Sequence, residues 1–161
     1  MIKELDLVNS DLILNTTRIL ILISKFESKK SFKMNLNKIM LYDFYMKFPQ
    51  TMLPNEIKMT RQRDYNEYYS YFHLQPNRDE YTLFLRYLVS KRLIDKIING
   101  SDFCYRINKR GTEVLKSLES EYFLELSSIA EFVKKEISKL SDSKIENKII
   151  ELSLKNRDDN R

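Results

Sequence analysis

Side chains that carry chemistry are scarce in this chain. His73 and Cys104 are its one histidine and one cysteine, whereas a zinc site takes about four ligands. His73 stands between Phe72 and Leu74, the setting of a packed ring rather than a proton shuttle. Asp79/Glu80 and Asp158/Asp159 are the adjacent acidic pairs, one at a helix start and one in a tail. Gly100 and Gly111 are the only glycines, too few for a dinucleotide or phosphate loop. No serine or cysteine has an evident partner base. These features predict a non-enzyme without cofactor or metal.

What remains is charge and apolar surface. The net charge is +5, and residues 77–116 concentrate it, with nine Lys/Arg against five Asp/Glu. Lys91, Arg92, Lys96, Arg106, Lys109 and Arg110 are placed to contact phosphates of a nucleic acid. Asp95, Asp102 and Glu113 interleave them, so the same residues also read as the solvated face of a small amphipathic hairpin. For protein partners the candidates are two. One is the aromatic cluster holding Tyr65, Tyr68, Tyr69 and Phe72; the other is the stripe Tyr122, Leu126, Ile129 and Val133. The aromatics serve equally well as core.

The elements that position these residues follow from periodicity and caps. "TTRILILISKF" (16–26) predicts a short central helix capped by Asn15. Asn35 caps a second, "LNKIMLYDFYMKF", which Pro49 ends. Asp43 falls beside its apolar stripe. Residues 50–76 show no sustained period. Asn77 and Glu80 form a capping box opening a helix with Tyr81, Phe84, Leu85 and Leu88 on one face. "RLIDKII" and "FCYRI" flank Asn99-Gly100, a hairpin signal. Asn108 caps the next helix, where Gly111 implies a close backbone approach from the hairpin. The stripe Tyr122–Leu140 reads as a packing seam.

Helix, hairpin and helix in this order resemble winged-helix regulators. The chain is expected to be mainly α with a small β-hairpin wing (α+β): a winged-helix-like domain over 1–118, a C-terminal helical extension over 119–157 and a disordered tail over 158–161. Asp79 and Glu80 in the first turn of the helix before the wing weaken sequence-specific readout of DNA. The start lacks signal-peptide order, "ILILI" is too short to span a bilayer, and one cysteine excludes an intrachain disulfide. A cytoplasmic location is expected, with no membrane partner.

The N-terminal half resembles the middle components of bacterial ABC-three-component systems, the group related to the Lamassu-type anti-phage middle subunit. Asn15, Thr16, Arg18 and the run to Leu22 match one motif; Leu36, Ile39, Leu41, Asp43 and Phe44 match a second, with Phe44 in place of a usual Tyr. The resemblance implies a non-catalytic subunit that bridges an SMC/Rad50-like ATPase and an effector nuclease, with DNA met through the complex. It also implies a structural pair, Arg18 with Asp43. The alternative is a stand-alone winged-helix transcriptional regulator that dimerises through the 119–140 seam.

Overall fold

The computed structural model describes residues 2–54 and 77–159, with side chains over 10–54 and 77–155. Tyr65, Tyr68, Tyr69, Phe72 and His73 lie outside these residues. Helix α1 runs Ile2–Ser24, so the short helix expected behind Asn15 is the second half of a longer one. Asn15 is no cap. Its carboxamide donates to the Asp11 carbonyl (2.8 Å), and the Thr16 hydroxyl donates to Leu12 O (2.7 Å). Bonding back to i−4 makes such polar residues tolerable within a helix, and no Gly or Pro interrupts 2–24. Ile19, Leu20, Ile21, Leu22 and Ile23 are all buried, as in a helix surrounded by neighbours.

Phe26 stacks on Phe32 (4.7 Å) and on Tyr42 (5.7 Å), pinning the connector after α1 to helix α2, Leu36–Lys47. Asn35 caps α2 by accepting from Lys38 N at 2.9 Å. Every residue from Ile39 to Met46 is buried, so α2 is enclosed on all sides. Pro49 ends α2 and also begins α3, Pro49–Met52. At a first helical position its missing N–H costs nothing.

After α4 (Arg78–Ser90) come β1 (Ile94–Asn99), β2 (Asp102–Ile107) and α5 (Lys109–Lys116). Then follow α6 (Glu121–Lys135), a 3₁₀ turn at Ile137–Lys139 and α7 (Asp142–Asp159). The architecture is mainly helical with one small antiparallel sheet. Helix α6 packs on α1 and α2, and α7 on α2 and α3. Leu126, Ile129, Ala130, Val133, Ile137, Ile145 and Ile149 join α1 and α2 in a single core. Within the extension expected over 119–157, residues from Leu126 to Ile149 thus close the core of the residues before them, because α2 buries a second face that needs covering. Helix α7 continues through Asp158 and Asp159, where the sequence reads as a tail.

Candidate functional site

The basic candidates cluster along the chain around the hairpin, so its construction comes first. Asn77 accepts from Glu80 N at 3.2 Å and starts α4, which turns Tyr81, Phe84, Leu85 and Leu88 inward. At its other end Leu93 N donates to Leu88 O and Arg92 N to Val89 O, both at 3.0 Å. This is the paired bonding of a Schellman stop. The residue in the left-handed position is Arg92, with φ of 60°; glycine adopts this conformation without the Cβ clash.

The strands pair Ile94 with Ile107 through Asn99 with Asp102. The loop is therefore Gly100–Ser101, one residue later than the expected Asn99-Gly100 turn. Gly100 has φ of +64° at the first central position, the glycine site of a type II′ turn, while Asn99 remains in the strand. The outer side of β2 is anchored: Tyr105 N donates to Met34 O at 2.9 Å, and Asn35 bridges Cys104. Cys104 is buried as a free thiol.

Gly111 answers to a steric demand. A Cβ there would lie 2.2 Å from the Leu93 carbonyl oxygen and 2.7 Å from Ile107 Cγ1. Asn108 joins the same junction. Its side chain accepts from Gly111 N (2.9 Å) while donating to Arg92 O (2.8 Å) and Asp95 Oδ1 (3.2 Å). The ends of α4, β2 and α5 are held together by this one residue.

Lys91 and Arg92 lie exposed at the end of α4, and Lys109 and Arg110 in the first turn of α5. Arg106 is half-buried and sits opposite Asp95 across the hairpin. The Lys96 ammonium lies 4.0 Å over the Phe103 ring. Ile94, Ile107 and Tyr105 are buried at the base of one face of the hairpin, yet Ile98 is 74% exposed and Phe103 43% on that face near the tip. Ile97 on the opposite face is 41% exposed. The tip projects beyond the core.

The seam offered for a partner is largely spent internally. Leu126, Ile129 and Val133 are buried, and only Tyr122 of that set is exposed. This corrects their assignment to an interface: the stripe faces α1 and α2. Sequence reasoning missed Ile98 and Phe103. The signal was present, because consecutive Ile97 and Ile98 must point to opposite faces of a strand. A cavity of about 320 Å³ between α1, α5 and α6 is lined by Ile21, Leu115, Phe123 and Leu124 among others.

A buried polar cluster braces the helices beneath. Arg18 Nε and Nη2 donate to the two Asp43 carboxylate oxygens at 2.7 and 2.9 Å, and the Tyr81 hydroxyl donates to Asp43 Oδ2. Asp43 is fully buried, and Arg18 and Tyr81 nearly so. Burial alone lowers the Arg18 pKa, but attraction and hydrogen bonding to Asp43 outweigh it and raise the value. Burial, then the Asp43 charge, push the Tyr81 hydroxyl up. The arrangement ties α1, α2 and α4 and offers no open face to a substrate. Among the described residues no group of three His, Cys, Asp or Glu could hold a metal ion.

A helical domain with a projecting hairpin and an internally locked core suits recognition, and a comparison with known families decides its kind. Residues 9–157 match the profile of the ABC-three component (ABC-3C) system Middle Component 2. The chain belongs to this family. The match runs from within α1 to within α7 and includes the hairpin. No curated protein sequence and no solved structure matches the chain. As a Middle Component 2 protein it is one part of a multi-component system and has protein partners. No helix among the described residues is long and apolar enough to cross a membrane.

Proposed function

We propose that this Middle Component 2 protein is a non-catalytic bridging subunit of an anti-phage, Lamassu-type assembly, joining an SMC/Rad50-like ATPase to an effector nuclease. The observation that carries the reading is the apolar hairpin tip, Ile98 with Phe103, left in solvent together with Ile97 while Ile94, Tyr105 and Ile107 at the base of the same sheet are buried. Apolar surface held out of a closed core marks an interaction site.

A winged-helix reading is supported by topology. The order α1, the bridging residues 34–35, α2, α4, β1, β2 makes residues 34–35 a rudimentary third strand beside β2. A DNA-contacting role finds support in Lys109 and Arg110, cations at a helix N-terminus where the helix dipole disfavours them. Against sequence-specific readout stand Asp79 and Glu80, exposed in the first turn of α4.

Co-expression tests the proposal. The tagged chain is expected to bring down ATPase and effector in one complex, and the two are expected to stay apart when the chain is omitted. Equal association without it ends the bridging reading. The regulator reading instead expects the isolated chain to shift duplex DNA, with affinity falling steeply as salt rises. Retention of DNA by the assembly that survives Lys109→Glu with Arg110→Glu removes the wing as a contact.

A further inference from the structure

The free side of β1 carries a second message. A two-residue loop makes Asn99 and Asp102 a hydrogen-bonded pair, and pairs alternate from there along an antiparallel ladder. Ile97/Cys104 and Asp95/Arg106 then exchange bonds between the strands. Lys96/Tyr105 and Ile98/Phe103 point their backbone groups outward. Tyr105 fixes this phase, since its N–H donates away from β1 to Met34. Ile94/Ile107 points outward likewise at the buried base, so in the exposed part of β1 the outward N–H and C=O groups are those of Lys96 and Ile98. Among the described residues β1 pairs with β2 alone, and no other backbone group meets these four.

We infer that the outer edge of β1 receives an extended, acidic segment of a partner protein as an added strand, through the backbone of Lys96 and Ile98. The inference rests on the bridging reading and names the surface used. Open edges are templates for strand addition. An edge lysine ordinarily guards against it, but Lys96 is folded over the Phe103 ring and lies on the face of the ribbon. Ile97 and Ile98 present apolar contact on both faces of the edge. Residues 91–110 carry six basic and two acidic side chains, so the incoming strand is expected to alternate apolar residues with carboxylates. The same positive charge opposes a second copy of this chain on the edge.

Proline at 98 is the decisive probe, because it removes an outward donor and leaves the bonded pairs intact, the setting in which edge strands accept proline. The full chain, wild type and Ile98→Pro, is titrated with the purified ATPase and effector components separately. Affinity for one of them is expected to fall roughly tenfold or more, the scale of a lost backbone hydrogen bond and its displaced neighbours, with unchanged thermal unfolding. Hydrogen exchange supplies a measurement that needs no variant. The Lys96 and Ile98 amides are expected to exchange fast in the free chain and to be protected in the complex. Wild-type affinity in Ile98→Pro together with unprotected edge amides overturns the inference while leaving bridging in place. Failure of the wild-type chain to bind either component overturns bridging, and the edge proposal with it. Edge protection by duplex DNA, or by self-association in concentrated free chain, instead of by a component also overturns it.

Discussion

The Arg18–Asp43 contact makes a quantitative demand on stability. Asp43→Ala leaves a guanidinium that is 8% exposed without its counter-charge and the Tyr81 hydroxyl without its acceptor. Breaking a buried ion pair from one side costs about 3–5 kcal/mol. A folded domain has only about 5–15 kcal/mol in total, so this single change takes a large share of it. Arg18→Ala removes the cation but leaves Asp43 buried with one donor, Tyr81, and is expected to cost a similar amount. Once either partner is gone, removing the other relieves an unpaired charge. The double variant is therefore expected to be less destabilised than the sum of the singles by about 2–3 kcal/mol. Arg18→Met with Asp43→Leu, which fills the space with apolar atoms, is expected to return to within about 1 kcal/mol of wild type. Urea unfolding followed by far-ultraviolet circular dichroism measures all four corners. Additivity within about 0.5 kcal/mol would show that the two side chains touch without energetic coupling and would refute the reasoning.

Three tyrosines separate satisfied from orphaned hydroxyls. Tyr42 and Tyr45 bury hydroxyls without a hydrogen-bond partner, so Phe at either is expected to be neutral or stabilising by up to about 1 kcal/mol. Tyr81→Phe, which withdraws a donor from a carboxylate, is expected to cost about 2 kcal/mol. Alkaline pH adds an independent check. Burial pushes the Tyr45 hydroxyl from 10.0 up to about 12, so the unfolded chain loses that proton first. Its contribution to stability is fully present below about pH 10 and drains away as pH rises to about 12, by about 1.4 kcal/mol per unit. Tyr45→Phe is expected to flatten the curve by that slope, read from denaturant midpoints across the window. At the hairpin junction, Gly111→Ala is expected to destabilise by about 2–3 kcal/mol despite better helix propensity, because its Cβ meets the Leu93 carbonyl. Arg92→Gly is expected to stabilise by about 1 kcal/mol, both measured by thermal unfolding.

The legible parts of the fold were those decided within a few residues. Asn35, Asn77 and Asn108 each precede a periodic run and each accept from an N–H three residues on. Gly100 and Gly111 were readable because glycine has few reasons to be retained. Asn15 has the same chemistry and misled, since helix 2–24 continues through it and its side chain bonds backward. The turn slipped by one residue because Asn-Gly and Gly-Ser both suit a two-residue loop, and only the strand pairing chooses between them. The stripe Leu126–Val133 was readable as a face, but periodicity does not say what covers a face. Its cover turned out to be α1 and α2. Asp43 stood out as a carboxylate among apolar neighbours, whereas Tyr81 as its second partner comes from a helix 38 residues away, beyond any local signal.

That distance has a bearing on how the chain reaches its native state. Arg18, Asp43 and Tyr81 come from three helices, with separations of 25 and 38 residues to the shared carboxylate, and none is comfortable in the interior until the others arrive. The carboxylate registers assembly: a fragment ending before α4 would keep the two Arg18 bonds and lack the one from Tyr81. Docking of α4 thereby adds the last of the three bonds, and the carboxylate is fully partnered only once all three helices are in place.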